Sequence, residues 1–339
     1  MKVLFVIPLN KIGGAETAFN SVINLNYDNI EIVKYDLNLY SNNPILFIKA
    51  CLKVYRIIID NNIKIVVSTL WKCHAVLILL SFFLRIQIVP FIVGVKFFSI
   101  FDKLISLVVI RNAKYILVDS KKGEIRLKEI NPKAKIFSFL IHTPLLIPNL
   151  KNFDQEEDTF TFLFVGRLNP VKRLDKAFEF LNLLYRHKNK KIQFDLYGPI
   201  EKGFDLKYFL EKYNYLNINY RGVMPNNARA IIYPTYTFYL QLSDSEGSGM
   251  SVIEAMRFGL IPVITNVGEV VNSCNSGLNS IVFGTDSLCL DMVNYFDKVL
   301  ESITIQKLST NAYETFRDVI VFNDILLEIL NDIDHSENV

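Results

Sequence analysis

Two glutamates, Glu246 and Glu254, stand eight positions apart around Gly247, Ser248, Gly249, Met250 and Ser251. Ionised carboxylates accept hydrogen bonds, and hydroxyl groups can donate them. Glycine has no side chain to hold a ligand away from the backbone. Earlier in the chain, Gly166-Arg167-Leu168-Asn169-Pro170-Val171-Lys172-Arg173 gathers three cations in one short stretch. Cations hold phosphate, and a pair of carboxylates holds a polyol. A nucleotide sugar carries both groups and suits the two stretches together.

These residues need elements to position them. Tyr236–Leu242 reads as a buried strand that feeds the glycine loop. A short helix to Phe258 follows, with Gly259 as its C-terminal cap, and then Ile261–Thr265 as another strand. The unpaired N–H groups and the dipole at that helix start form an anion site. Ser251-x-x-Glu254 is also a capping box, so Glu254 has a second, purely structural reading. In the other stretch Thr159–Val165 reads as a strand, and a helix runs to about Arg186. Leu174, Ala177, Phe178, Leu181 and Leu184 form its buried stripe. Asn169 suits the N-cap and Pro170 the first helical position. Lys172 and Arg173 then fall in the first turn, where the dipole disfavours a cation by ~0.3–1 kcal/mol. An anion bound among Arg167, Lys172 and the helix end would reverse that sign. The plain alternative is solvated bases.

The N-terminal half has the same rhythm. Val3–Pro8 reads as a strand, followed by a turn with Gly13 and Gly14 and a helix to about Leu25. Asn29–Asp36, Ile63–Ser68, Tyr115–Asp119 and Ala134–Leu140 read as further strands, and Pro44–Asp60 as a helix. His74 follows closely on the carboxyl end of the Ile63–Ser68 strand, where open α/β sheets bind ligands. Strands alternating with helices imply a doubly wound α/β sheet. Ala75–Val95 is the most apolar stretch, near the ~20 residues of a membrane span. Arg85, Gln87 and Pro90 interrupt it, so a helix to Leu84 and a strand from Ile86 describe it better.

Size and composition bound the rest. The 339 residues suffice for two domains, and 51% hydrophobic with 21% charged residues excludes disorder. A net charge of +3 is too small to point to nucleic acid. Cys51, Cys73, Cys274 and Cys289 lack metal-site spacing and read as reduced thiols of a cytoplasmic protein. Ten bases stand against four acids between Lys96 and Lys135, among many aromatic and aliphatic residues. That face suits anionic lipid headgroups, or else it is a solvated surface over an ordinary core. Pro144, Pro148 and the acidic run Asp154–Asp158 mark a linker. The expected division is 1–150, 158–310 and a closing segment 311–339, with a helix over Asn311–Ile333.

Taken together, these motifs resemble the retaining glycosyltransferases of the family-four type. Ser243-x-x-Glu246-Gly247, with Glu254, is similar to that family's Glu-x7-Glu stretch, with Leu242 where proline is usual. Gly166-Arg167-Leu168 with Lys172 is similar to its Gly-Arg-Leu-x4-Lys signature, and Gly13-Gly14 to its glycine-pair loop. His142-Thr143 stands where Asn-Gly is usual, and Gly268-Glu269 is a partial match to a longer turn. The resemblance implies a GT-B fold, with two doubly wound Rossmann-like domains facing a cleft. Residues 1–150 would face the acceptor, 158–310 would hold the donor, and the closing helix would pack back on the first domain. It implies that Arg167 and Lys172 hold the donor diphosphate, and that Glu246 meets the sugar. Glu254 would meet the ribose, and His74 would lie beside the sugar ring. Gly13, Gly14, Gly247, Ser248, Gly249, Met250 and Ser251 would complete the donor site. The implied reaction moves a hexose from a nucleotide-diphosphate sugar, with uridine as the favoured base, and retains the anomeric configuration. The implied acceptor is a glycan or lipid-linked oligosaccharide of bacterial surface polysaccharide, at the inner face of the membrane. No cofactor and no metal are required. An epimerase or phosphorylase of the same architecture, or a catalytically silent nucleotide-sugar binder, remain as alternatives.

Overall fold

The computed structural model describes residues 1–8, 30–38, 43–93, 97, 99–139, 150, 159–188, 190–225, 228–319 and 321–337. Two compact units divide the chain: Met1–Pro144 with Ile320–Val339, and Leu145–Val319.

The first unit is built on strands β1 (Lys2–Ile7), β2 (Glu31–Asp36), β3 (Ile65–Thr69), β4 (Gln87–Ile92), β5 (Tyr115–Val118) and β6 (Lys135–Ser138). All pair in parallel, in the order β2-β1-β3-β4-β5-β6. Val3–Ile7 and Ile65–Val67 are fully buried, the unbroken apolar runs of strands covered on both faces. Between strands run α1 (Pro44–Asp60), α2 (Leu70–Ser81), α3 (Ile100–Asn112) and α4 (Lys121–Ile130). Their starts follow local rules. Asn43 accepts from the Ile45 amide at 2.9 Å with Pro44 in the first turn, and Ser99 and Ser120 cap α3 and α4. Leu4, Val6 and Val66 pack with α1 and α2, while Ile116 and Val118 pack with α3 and α4. Strand register puts these residues on one face of the sheet, so the four helices form a row there. Because β2 and β3 flank β1, the ligand-binding crevice of such a sheet opens past the carboxyl ends of β1 and β3. At the second of these ends Leu70 holds φ 56°, an uncommon angle for a leucine, and the Thr69 hydroxyl is buried without a partner among the described residues. The Gly13-Gly14 turn and the helix after it lie outside the described residues, as do His142, Thr143 and the linker.

The second unit repeats the plan with β7 (Thr159–Val165), α5 (Leu174–Lys188), β8 (Lys191–Tyr197), α6 (Leu206–Lys212), β9 (Asn217–Tyr220), α7 (Arg229–Ile232), β10 (Phe238–Gln241), α8 (Met250–Arg257), β11 (Ile261–Thr265), β12 (Ile281–Phe283), α9 (Cys289–Ser302) and α10 (Ile305–Phe316). The parallel order is β12-β11-β10-β7-β8-β9. The first strand of the unit thus lies beside the fourth, and the strand order reverses between β7 and β10. Rings fill the core, with Phe162 stacked on Phe238 at 5.0 Å and Phe296 edge-on to Phe160 and Phe180.

The expected single helix over Asn311–Ile333 is two helices. α10 ends at Phe316, and α11 (Phe322–Glu337) begins after a break. Val319, Ile320 and Val321 are β-branched and weaken a helix locally. The two helices also serve different cores. Leu308 of α10 belongs to the second unit's cluster, whereas Phe322, Leu326 and Ile329 of α11 cover Val3, Phe5 and Phe91 of the first.

Candidate active site

The second unit's polar cluster is assembled on loops at the carboxyl ends of β7, β8 and β10. The loops after β7 and β8 continue as a short ladder. Gly166 N bonds Tyr197 O at 2.9 Å, Leu168 N bonds Pro199 O at 2.9 Å, and Glu201 N bonds Leu168 O at 2.9 Å. Gly198 permits this approach, because a Cβ there would sit 1.8 Å from the Gly166 carbonyl oxygen. The ladder brings Arg167 and Glu201 together, guanidinium to carboxylate at 3.0 Å. Asn169 Nδ2 donates to the other oxygen of Glu201 at 2.8 Å. Asn169 first, and Arg167 after it, hold the Glu201 carboxyl below its ordinary pKa.

Asn169 also accepts from the Lys172 amide at 3.3 Å and caps the turn Pro170–Lys172. This turn is a 3₁₀ helix and not the start of α5. Arg173 follows in the left-handed region, φ 46°, and α5 begins at Leu174. Lys172 and Arg173 therefore precede the helix, and the expected dipole penalty on two first-turn cations does not arise. Ion pairs of Arg173 with Asp175 at 3.1 Å and Asp244 at 3.0 Å brace its conformation.

The β7 loop is tied to the β10 loop. Asp244 N bonds Val171 O at 2.9 Å, beside the Arg173–Asp244 pair. The result is a contact between two of the sequence-identified residues. Lys172 Nζ lies 2.6 Å from Glu246 Oε1, with side chains only 16% and 12% exposed. A third loop props the glutamate from behind, since Glu269 N bonds Gly247 O at 2.9 Å. Gly268 is required there, at φ 80°, because a Cβ would meet Glu246 Cβ at 2.8 Å. The partial Gly268-Glu269 match in the sequence is thus a supporting turn.

Gly249 ends the loop at φ 73° and precedes α8, and a Cβ there would strike Val270. Internal packing thus requires this glycine, whereas Gly247 faces open space. The amides of Val252 and Ile253 bond Gly249 O at 2.9 and 3.2 Å. Those of Met250 and Ser251 precede the first intrahelical bond, so they are the donors this end can offer. Ser248 lies between the two glycines, on the same loop.

The capping-box reading of Ser251 and Glu254 does not match the structure. The Ser251 hydroxyl donates to Gln241 at 3.1 Å, and Glu254 accepts from Arg229 at 2.9 Å. Glu254 is almost wholly buried, with side-chain exposure of 8% against 11% for Arg229. Burial pushes its carboxyl above the ordinary pKa, opposed by Arg229, Tyr233 and Arg257. Arg229 and Glu201 are members of the cluster that stand outside the sequence motifs. Arg229, at the start of α7, lies twenty-five residues from its partner, and Glu201, on the loop after β8, thirty-four from Arg167.

His74 belongs to the first unit. It is 1% exposed, and its Nδ1 lies 2.8 Å from Ser68 Oγ. With Asp102 and Arg126 it lines a cavity of about 40 Å³. Burial lowers its pKa to about 3, so it is neutral at physiological pH. The unfolded chain protonates it near 6.5. Its contribution to stability is therefore complete above that pH and falls by about 1.4 kcal/mol per pH unit as acid approaches 3. Urea midpoints of the wild type and His74→Asn between about pH 7 and about pH 4 should converge as the pH falls. A gap that stays constant with pH would show that His74 does not titrate this way.

Residues 148–315 match the family model described as Glycosyl transferases group 1. No curated protein matches the chain by sequence. Among solved structures, the chain is similar to HepE of Anabaena in complex with UDP (TM-score 0.70, 14% identity, 98% of this chain and 100% of that one). It is also similar to a glycosyltransferase from Rickettsia africae (TM-score 0.71, 15% identity, 97% of each chain). A TarM variant of S. aureus in complex with UDP gives a TM-score of 0.60 at 16% identity, over 83% of this chain and 58% of that one. At these identities the likeness establishes the fold, GT-B.

Proposed function

We propose that the chain is a group 1 glycosyl transferase of the retaining family-four type, and that it moves a hexose-type sugar from a UDP-sugar to a glycan or lipid-linked oligosaccharide. The observation that carries the reading is the Lys172–Glu246 contact, made by loops of two strands at the point where strand order reverses. Complexes of the similar HepE with UDP and with UDP-glucose support uridine as the base. Lipopolysaccharide, O-antigen or capsule synthesis at the cytoplasmic face is the setting we infer, with the first unit on the acceptor side.

The chemistry asks the protein to let a diphosphate depart while the sugar gains positive charge. Arg167 and Lys172 neutralise the leaving phosphate, each releasing the carboxylate it now holds. The Met250 and Ser251 amides add donors fixed before the reaction begins. Glu246 orients sugar hydroxyls and, next to Lys172, couples sugar position to phosphate position. Glu254, fixed by Arg229, presents a carboxylate edge to the ribose. His74 serves as a neutral hydrogen-bonding group in the first unit.

A thermal-shift panel of nucleotide sugars tests this reading. UDP-sugars should raise the melting temperature, and proton NMR of the product should show the anomer of the donor. A response to no nucleotide sugar would sink the proposal. Binding without sugar release would favour the silent binder.

A further inference from the structure

The helical face of the first unit lacks the polar cover that a water-exposed helix row ordinarily carries. Helix α1 has two apolar stripes. Ala50, Cys51, Val54 and Ile58 face the sheet, while Ile45, Ile48, Leu52, Tyr55 and Ile59 are exposed, at alternating spacings of four and three residues. Next in the row, α2 has Lys72 as its one charged residue. Just past its end Phe82 and Phe83 are 78% and 74% exposed. On α3, Phe101, Leu104 and Val108 are exposed as well. Single exposed apolar residues are ordinary, but a set on neighbouring helices marks an interaction surface.

Charge selects what that surface meets. Residues 44–112 hold nine Lys and Arg against Asp60 and Asp102, and Asp102 is buried. The segment is therefore +7 in a chain of +3, and the remainder sums to −4. Lys49, Lys53 and Arg56 are exposed on α1, and Lys103 and Arg111 on α3. A second copy of the chain would offer the same sign and repel. The basic face expected over Lys96–Lys135 is less available, because Lys121 and Lys128 hold Glu124 and Lys135 holds Asp332.

We propose that α1, the end of α2 and α3 seat the first unit on an anionic lipid surface. The aromatic and aliphatic side chains enter the boundary between headgroups and acyl chains, and the bases meet lipid phosphates. No helix among the described residues is long and apolar enough to cross a membrane, and the docking proposed is interfacial. The proposal deepens the lipid-linked acceptor named above, and rests on that reading only for its purpose.

Vesicle flotation of the full chain tests it without turnover. Phosphatidylglycerol-containing vesicles should carry the protein up at low salt, and pure phosphatidylcholine vesicles should carry at least about tenfold less. Leu52→Glu, and Phe82→Glu with Phe83→Glu, should each weaken partitioning about tenfold or more. Lys49→Ala with Arg56→Ala should weaken it roughly fivefold per base, the equivalent of about 1 kcal/mol each. An unchanged UDP-induced melting shift in these variants shows that the fold survives. Wild-type protein that ignores phosphatidylglycerol overturns the proposal. So does a lipid-free dimer that Leu52→Glu splits while flotation is unaffected, which would assign the face to a second copy. Flotation without any sugar transfer would remove the proposed function and leave the docking face standing.

Discussion

Lys172→Ala should lower kcat by about 10²–10³-fold, the cost of removing one fixed donor to developing charge, while the melting temperature changes little. The residue lies in a short 3₁₀ turn that contains no fully buried residue, so little of the core is lost with it. Among the described residues its ammonium pairs with Glu246, which on the proposed mechanism exchanges for phosphate. Glu246→Gln keeps the shape of the site and removes the charge, and should cost roughly ten- to a hundredfold, at 1.36 kcal/mol per tenfold. The double variant should fall well short of the product of the two single losses, because the residues touch and act as a unit. Single-turnover kinetics on a donor that shifts the melting curve measures all three. Wild-type rates for Lys172→Ala would remove it from the site. Strictly multiplicative losses would show that the 2.6 Å contact has no part in the reaction.

Features governed by near neighbours in the chain were legible in the sequence. Strands Thr159–Val165 and Ile261–Thr265, and helix Pro44–Asp60, have the expected bounds, because their apolar runs and caps are local. Asn169 was legible as a cap, but the element it caps was not. A left-handed arginine has no signal of its own, and Arg173 depends on Asp244, seventy-one residues away. The break between α10 and α11 was hidden for a related reason. Apolar residues recur at helical spacing through both helices, and only the change of core separates them. The motifs contain Arg167, Lys172, Glu246 and Glu254, but they give no sign that each already holds an oppositely charged side chain. Strand order decides the pairings of Arg167 and Lys172, since the loops after β7, β8 and β10 meet only because these strands adjoin.

Arg229→Leu should be the most destabilising of the substitutions considered, at about 3–5 kcal/mol, because it leaves a buried carboxylate without its counter-charge. The Arg229–Glu254 pair is desolvated on both sides, and Glu254 sits on α8 directly behind the glycine loop. For a unit of this size the loss corresponds to roughly 6–20 °C in melting temperature. The effect depends on pH in a definite direction. Burial already raises the Glu254 pKa in the folded protein, and removing Arg229, the largest opposing influence, raises it further. A carboxyl whose folded pKa exceeds its unfolded value favours folding in acid and loses that contribution as pH rises through the folded value. The variant's deficit should therefore be small near about pH 4.5 and grow towards about pH 8. Adding Glu254→Gln to Arg229→Leu removes the buried charge and should recover a large part of the deficit at the higher pH. Urea unfolding at the two pH values, followed by tyrosine fluorescence, provides the measurement. A deficit equal at both pH values and unaffected by Glu254→Gln would mean that Arg229 acts through packing alone. The alternative is that the pair holds Glu254 ionised and in place, and then the recovered double variant should still bind UDP-sugars more weakly than the wild type.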